Sequence, residues 1–188
     1  MNNPERILHT LDRHLRQRTR LVLFGRAALA LGYGAPGGAF GVTQDVDVIL
    51  PAVEMARFEA DRQFWDALEA ANKELEPTGL YMTHLFTDEQ VVLTTSWLQR
   101  IVPIQPDPVF RHLELFRPSG IDLILTKMMR NDPQDMHDIR FLLGQENITA
   151  RQLAEAFASA RVPSVPEIIQ TFEAMQTVVL SIAANHPV

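Results

Sequence analysis

The sequence predicts an α+β fold in which helices flank a small mixed sheet and a helical extension follows at the C-terminus. A short apolar run at residues 21–24 turns at a glycine into a small-residue helix, and a second apolar run follows at 46–50. Helical patterns with capping residues dominate the chain after residue 118. The expected parts are an N-terminal amphipathic helix at 1–20, a main domain at 21–146 and a helical extension at 147–188.

Composition excludes several classes of protein. The 188 residues are 46% hydrophobic and 21% charged, as is typical of a soluble globular chain. The absence of cysteine excludes disulfides, thiolate metal sites and cysteine nucleophiles. The start lacks an apolar signal core, and no run of about 18 apolar residues occurs. We therefore expect a cytoplasmic protein that does not interact with membranes.

Positive charge is concentrated at the N-terminus. The net charge is −6, yet the first 20 residues carry five arginines against Glu5 and Asp12. Asn3 and Pro4 are suited to the N-cap and the first position of an amphipathic helix. The apolar stripe of this helix would consist of Leu8, Leu11 and Leu15. A solvated helix face is the favoured explanation of the arginines, and contact with nucleic-acid phosphates is the alternative.

The stretch from residue 21 to residue 50 carries the most specific chemistry. A strand at 21–24 turns at Gly25 into a helix at 26–31, and a glycine-rich loop leads to a strand at 46–50. Asp45 and Asp47 are two residues apart, so both carboxylates project to one face of that strand. Two carboxylates held so close repel each other, and a divalent cation such as Mg²⁺ is the usual remedy.

The middle of the chain supplies further sheet and helix. The pattern at 53–75 predicts one long helix, whose core stripe would be Phe58, Trp65, Leu68 and Leu75. Strands at 80–86 and 90–94 would extend the sheet around a turn. Residues 96–100 predict a brief helical turn with a packed Trp97, although stacking of Trp97 on a base is an alternative. A further strand at 110–116 places Glu114 on one face with His112 and Phe116.

Two capped helices follow that strand. Ser119 is a good N-cap, with Asp122 three residues later as in a capping box. Lys127 and Arg130 then share one helical face. Asp132 and Pro133 begin the next helix, in which Asp135 and Asp138 lie on the side away from the apolar stripe. The helix dipole and capping suffice to explain these two acids.

The C-terminal extension is predicted to be helical. Thr149 caps a helix that ends near Ala160, and prolines at 163 and 166 precede a last helix that runs to about Ala184. The apolar stripe of the last helix would be Ile168, Phe172, Met175, Val179 and Ile182. Packing on the main domain is the favoured role of this stripe, and a contact with a partner protein or a second copy is the alternative.

These motifs carry a resemblance to a known superfamily. A strand, a glycine turn that opens a helix, and Asp-x-Asp on the next strand resemble the polymerase-beta type of nucleotidyltransferase. The chain is similar to bacterial nucleotidyltransferase-like proteins of the AbiEii toxin type and their uncharacterised relatives over residues 21–143. The matching residues are Gly25, Ala27, Ala28, Leu29, Thr43, Asp45, Asp47, Lys127, Arg130, Asp135 and Asp138.

The resemblance implies a nucleotidyltransferase-like fold and Mg²⁺-dependent transfer of a nucleotidyl group from an NTP to a hydroxyl of tRNA or protein. It implies a role in a toxin–antitoxin system, with a toxin or antitoxin as partner. Asp45 and Asp47 would hold the metal, and Glu114 would be a third carboxylate. The implied catalytic residues are Asp45, Asp47, Glu114, Lys127 and Asp138. The implied nucleotide-binding residues are Gly25, Arg26, Thr43, Lys127 and Arg130.

Two departures from the family pattern leave a second hypothesis open. Arg26 stands where the family has Ser or Gly, and the loop between Arg26 and Asp45 is longer than usual. The long side chain would crowd a phosphate-binding backbone, or its guanidinium would bind phosphate itself. The rival hypothesis is a catalytically degenerate protein of this fold that acts as a binding module or toxin–antitoxin partner. The sequence leaves the oligomeric state open.

Overall fold

The computed structural model describes residues 1–33, 40–82, 85–105, 109–130 and 132–185. The helices are α1 Asn3–His14, α2 Gly25–Gly32, α3 Met55–Ala60, α4 Arg62–Leu75, α5 Gly120–Lys127, α6 Pro133–Glu146, α7 Ala150–Ala158 and α8 Pro166–Ala184. The strands are β1 Thr19–Phe24, β2 Asp47–Leu50, β3 Leu85–Thr87, β4 Leu93–Thr94, β5 Val102–Pro103, β6 Leu113–Arg117 and β7 Ala160–Arg161. Short 3₁₀ turns lie at Ala52–Glu54, Glu76–Thr78 and Trp97–Arg100.

The chain forms two compact units. Unit 1 comprises Met1–Thr87 and Ile101–Arg117, and unit 2 comprises Asp88–Arg100 and Pro118–Val188. α1 belongs to unit 1, and α7 and α8 belong to the same unit as α5 and α6. The division predicted at residues 20 and 146 stays a prediction. In the described part of the chain, no helix combines the length and apolar character needed to cross a membrane.

Unit 1 is built on a mixed sheet, as predicted. Its strand order is β3-β2-β1-β6-β5. β1 runs antiparallel to β2 and parallel to β6, β3 is parallel to β2, and β5 is antiparallel to β6. Register pairs Leu23 with Val48 and Leu21 with Leu115, and all four side chains are buried. The α+β class with flanking helices is confirmed.

Helix α1 is the predicted amphipathic helix, and its start differs by one residue. The N-cap is Asn2 rather than Asn3, because the Asn2 side chain accepts from the Glu5 amide and Glu5 returns a bond to the Asn2 amide. Asp12, near its end, accepts hydrogen bonds from three successive backbone amides, at Arg111, His112 and Leu113, each at 2.8 Å. This carboxylate therefore holds the start of β6 against α1.

The single helix predicted at 53–75 is wrong. The chain leaves helical geometry at Asp61, with φ −82° and ψ 77°, and the Asp61 side chain accepts from the Phe64 amide at 3.1 Å. A short acidic side chain at such a position offers the backbone a cap instead of a continued helix. As a result α4 buries Phe64, Ala67, Leu68, Ala71 and Leu75, and Trp65 is only half-buried.

Unit 2 combines helices α5 to α8 with a two-stranded sheet. β4 lies within the predicted strand at 90–94, but it pairs antiparallel with β7 and does not extend the five-stranded sheet. Sequence patterns did not predict β7, which is too short to show any periodicity. Thr149 caps α7 in a capping box with Gln152, and Phe157 of α7 contacts Phe172 of α8 edge to face. The predicted stripe residues Phe172, Met175 and Val179 are buried.

Candidate functional site

The turn between β1 and α2 requires glycine. Gly25 has φ +62°, in the left-handed region that residues with a side chain rarely adopt. A Cβ atom placed there would lie 3.3 Å from Oδ2 of Asp47. Register explains this proximity, since Phe24 and Asp47 are directly paired across β1 and β2. The Asp47 carboxylate therefore lies beside the space that a side chain at position 25 would need.

The N-terminus of α2 opens at the same turn. Its N-cap residue, Phe24, makes no side-chain capping bond, and the first turn of the helix contains no acid. The first amides of a helix have no intrahelical acceptor, and the helix dipole makes this end positive. Such a terminus binds phosphate readily. A phosphate at the Gly25 turn would therefore meet backbone donors of this kind.

Asp45 and Asp47 alternate with buried valines. Val46 and Val48 are 0% exposed, whereas the two aspartates are half-buried, so both carboxylates project from the opposite face. β2 begins only at Asp47, and Asp45 is joined to Tyr81 by an isolated parallel bridge. The Thr43 hydroxyl donates to Oδ1 of Asp45 at 2.7 Å and so orients that carboxylate. The predicted Thr-x-Asp-x-Asp motif therefore forms one local unit.

The donor set suits one kind of metal ion. In the described residues, no group of three or more His, Cys, Asp or Glu side chains converges on a metal position. Mg²⁺ typically uses one or two protein carboxylates and completes its shell with water and substrate phosphates. Asp45 and Asp47 fit that pattern and would not satisfy a structural zinc site.

Arg26 follows directly after the glycine turn. It is half-buried, and its guanidinium carbon lies 5.3 Å from the centre of the Phe40 ring. The guanidinium therefore packs over an aromatic face at the far end of the glycine-rich loop. Residues 34–39 of that loop lie outside the described residues.

Glu114 is not brought to the carboxylate pair. It is paired in register with Arg20, whereas Asp47 is paired with Phe24, four residues further along β1. Four strand residues span about 13 Å, and β1 itself lies between the two strands. The Glu114 side chain is 48% exposed and forms an ion pair with Arg18 at 3.1 Å.

Lys127 lies in a buried ionic cluster of unit 2. Its side chain is 3% exposed, and its Nζ lies 2.6 Å from Oδ2 of Asp138 and 3.3 Å from Oδ1 of Asp135. Asp135 and Asp138 are both 0% exposed. The predicted pairing of Lys127 with Asp138 is therefore present. The helix dipole alone does not explain these acids, because they face a buried cation.

Arg130 completes this cluster from the outside. Its Nε and Nη2 donate to Oδ2 and Oδ1 of Asp135 at 2.8 and 3.0 Å, the bidentate geometry typical of arginine. Its side chain is 67% exposed. Asp135, which bridges Lys127 and Arg130, was not predicted as a partner. The signal was available, since Asp135 and Asp138 are one helical turn apart and follow a lysine and an arginine on the preceding helix.

The start of α6 positions the two acids. Asp132 is the N-cap, as predicted, and accepts from the Asp135 amide at 2.7 Å. This backbone hydrogen bond, with the nearby Arg130, holds the pKa of Asp132 below its ordinary value. The Asp132 cap therefore fixes the start of α6, the helix that carries Asp135 and Asp138.

Asp122 differs from the prediction, whereas Trp97 has the packed position that was favoured. Asp122 is fully buried and accepts from the amide and hydroxyl of Thr94, at 2.9 and 2.8 Å, instead of closing a capping box. Trp97 is buried, and its indole N–H donates to Asp88 at 3.1 Å. Packing is therefore the role that the structure gives Trp97.

Comparison with known proteins supports one family. No curated protein and no solved structure matches the chain. A family model described as a nucleotidyltransferase of unknown function (DUF6036) matches residues 5–162, which include the glycine turn, the Asp-x-Asp motif and the buried ionic cluster. The resemblance to the AbiEii type remains a prediction. By this match, the chain belongs to the DUF6036 family of nucleotidyltransferases of unknown function.

Proposed function

We propose that this protein transfers a nucleotidyl group from an NTP to a hydroxyl acceptor, with Mg²⁺ held by Asp45 and Asp47. The observation that carries the proposal is the position of the Asp47 carboxylate, which lies 3.3 Å from where a Cβ of residue 25 would stand, at the N-terminus of α2. Phosphate donors and metal-binding oxygens are thereby adjacent within one unit. Membership of a nucleotidyltransferase family gives the same reaction class.

Each group in unit 1 has a part in the proposed transfer. The first amides of α2 donate to the phosphate oxygens, and Thr43 keeps the Asp45 carboxylate in place. When bound, Mg²⁺ offsets phosphate charge and favours attack at the α-phosphorus. The acceptor hydroxyl oxygen bonds to that phosphorus and gives up its proton to solvent water as the bond to the departing pyrophosphate breaks. Glu114 has no part in this proposal, because register separates it from Asp47.

The cations of unit 2 differ in what they are able to contact. Lys127 is 3% exposed and faces two carboxylates, so its charge is used within the unit. Arg130 is 67% exposed and is the member of the cluster that remains accessible to an anion. We assign Lys127 and Asp138 to holding α5 on α6, and the nucleotide-binding role of Arg130 stays a prediction. Transfer to tRNA or to a protein, and a toxin–antitoxin role, are part of the same proposal.

One observation favours the rival function, a degenerate binding module. The guanidinium of Arg26 packs over Phe40, at the position where relatives of the resembled type have a residue too small to fill that space. If the Arg26 side chain keeps this position, less space remains beside the Gly25 turn for a phosphate. The discriminating question is therefore whether the glycine turn and Asp47 together still bind a metal nucleotide.

Thermal unfolding of the wild type and of Asp47→Asn with each of the four NTPs, with and without Mg²⁺, answers that question. A ligand at about 100 times its dissociation constant stabilises the native state by about 2.7 kcal/mol. We expect a Mg²⁺-dependent rise in Tm for at least one NTP, lost in Asp47→Asn. Asp66→Asn is the matched control, since Asp66 is an exposed aspartate on α4.

Transfer itself is tested with the NTP that stabilises the protein. Labelled nucleotide is followed into total tRNA and into copurifying protein, with release of pyrophosphate as the second readout. Asp47→Asn is expected to abolish both signals while its unfolding curve in the absence of nucleotide stays unchanged. Equal transfer by Asp47→Asn and wild type contradicts the proposed site, and the absence of any Mg²⁺-dependent shift favours the binding module.

A further inference from the structure

A groove of about 950 Å³ opens in unit 1 between α4 and the segment that leads to β3. Its volume is within the range of small-molecule sites, about 300–1,000 Å³. No role in the proposed transfer has been given to it so far. Its lining residues include Trp65, Leu68, Glu69, Glu76, Leu80 and Tyr81.

The groove adjoins the segment that carries Asp45. The Tyr81 amide donates to the Gln44 carbonyl at 3.1 Å, and the Val46 amide donates to the Tyr81 carbonyl at 3.3 Å. Tyr81 is therefore the neighbour of Asp45 on the side away from β1. The backbone of Tyr81 is two strand spacings, about 10 Å, from the glycine turn, measured across the sheet. An extended triphosphate with its ribose is able to span that distance.

The walls of the groove are aromatic and held in place. Trp65 donates its indole N–H to the Phe58 carbonyl at 2.8 Å, which fixes the ring. The Asn72 side chain bonds both the amide and the carbonyl of Met82 at 2.8 Å, so the opposite wall is tied to α4. Tyr81 is 37% exposed. Fixed aromatic side chains of this kind stack on planar heterocycles irrespective of base identity.

The rim of the groove carries acceptors. Glu69 is exposed on α4, and Glu76 is exposed at the start of the 3₁₀ turn that follows it. Lys73 is the cation among the described residues that line the groove. Two carboxylates against one ammonium disfavour a phosphate chain in this groove. They favour a neutral ring that presents N–H donors, because a carboxylate accepts from exocyclic amines of bases.

We propose that this groove binds the nucleoside part of the donor nucleotide, an inference that rests on the proposed function. The phosphates lie at the Gly25 turn, and the base stacks at Tyr81 and Trp65. The rim carboxylates accept from an exocyclic amine, so ATP, GTP and CTP bind more tightly than UTP. The groove thus determines which donor is used, whereas the turn and Asp47 bind any triphosphate.

Calorimetric titration of the full chain separates these two contributions. The probes are the four NTPs and inorganic tripolyphosphate, each with Mg²⁺, on wild type, Tyr81→Ala and the matched control Tyr81→Phe. One lost stacking contact corresponds to about a tenfold change in affinity. We expect the preferred NTP to bind at least about tenfold more tightly than tripolyphosphate to wild type and to Tyr81→Phe. In Tyr81→Ala that advantage is expected to disappear, and Glu69→Gln with Glu76→Gln is expected to remove the discrimination against UTP.

The outcomes distinguish this inference from the proposed function. If NTPs and tripolyphosphate bind equally tightly to wild type, or if Tyr81→Ala keeps the advantage of the NTP, the groove proposal is overturned while the phosphate and metal site stands. If neither probe binds, the proposed function fails, and free nucleosides are titrated up to about 10 mM. Saturable binding of a nucleoside that Tyr81→Ala abolishes supports the groove, and its absence overturns the groove as well.

Discussion

Two pairs of aspartates, close in sequence in both cases, have different surroundings in this protein. Asp135 and Asp138 in unit 2 are 0% exposed and lie within salt-bridge distance of Lys127, with Arg130 bound to Asp135. Asp45 and Asp47 in unit 1 are half-buried beside a glycine backbone and a threonine hydroxyl. The difference teaches that spacing alone does not identify a metal site. Burial with a matched cation indicates a structural pair, whereas partial exposure beside an uncapped helix N-terminus is what supports the proposed binding site.

The largest effect is expected from breaking the unit 2 cluster. Lys127→Met removes the ammonium nearest to Asp138, and removal of one partner of a buried pair costs about 3–5 kcal/mol. Urea unfolding measures this loss. Lys73→Met is the matched control, because Lys73 is exposed on α4 and should change stability by less than about 0.5 kcal/mol. Equal stability of Lys127→Met and wild type would show that the cluster is not structural.

Asp12 is a structural carboxylate in unit 1, the unit that also contains the proposed metal-binding pair. Asp12→Ala removes the acceptor of three backbone amides and is expected to cost about 2–3 kcal/mol. Asp12→Asn keeps one acceptor oxygen and should lose about half as much. Urea unfolding followed by circular dichroism gives both values. A loss below about 0.5 kcal/mol for Asp12→Ala would mean that water satisfies these amides.

Alanine substitutions at two glycines test whether the turn at Gly25 is needed for nucleotide binding. Gly25→Ala and Gly79→Ala both place a side chain at positive φ, with an expected cost of about 1–2 kcal/mol each. Only at Gly25 does the new Cβ contact Asp47, since Gly79 has no atom within 4 Å of that position. We expect Gly25→Ala alone to lose the Mg²⁺-dependent stabilisation by NTP in thermal unfolding. Retained stabilisation in Gly25→Ala would remove the turn from the proposed site, whereas loss in Gly79→Ala as well would point to the groove, which Gly79 also lines.

The smallest effect concerns the cap of α6. In the folded protein the pKa of Asp132 lies below its ordinary value of 3.8. The ionised carboxylate therefore adds to the free energy of unfolding above pH 3.8, and this contribution is lost as the pH falls through the folded pKa. An N-cap of this kind contributes about 0.5–2 kcal/mol. Stability measured from pH 5 downward should fall more steeply for wild type than for Asp132→Asn, which caps without titrating. If the stability of the two proteins falls in parallel with pH, Asp132 does not contribute to the loss of stability in acid.

Local chemistry made several elements predictable. Ser119, Asp132 and Thr149 cap the helices that the sequence indicated, because a cap depends on residues within one turn. The single helix predicted at 53–75 failed at Asp61 for the same kind of reason, since the Asp61 cap outweighed the apolar periodicity. The side-chain alternation of Asp45 and Asp47 followed from strand geometry alone.

Contacts between distant segments were beyond the reach of these patterns. Glu114 lies on a strand, as expected, but the register of β6 against β1 pairs it with Arg20 and not beside Asp47. Similarly, β4 pairs with a two-residue strand that follows α7. Register depends on which distant side chains pack together, and no local spacing encodes that choice.

The sequence by itself determined the α+β class, most helix starts, the glycine turn, the Asp-x-Asp motif and membership of a nucleotidyltransferase family. Tertiary structure alone decided that the Asp47 carboxylate lies beside Gly25, that Lys127 is buried between Asp135 and Asp138, and that Tyr81 lies beside Asp45. Helix propensity, caps and alternation act over a few residues and are written in the local sequence. Burial and ion pairing depend on the whole packed chain, and they distinguish the structural carboxylates of unit 2 from those of the proposed metal site.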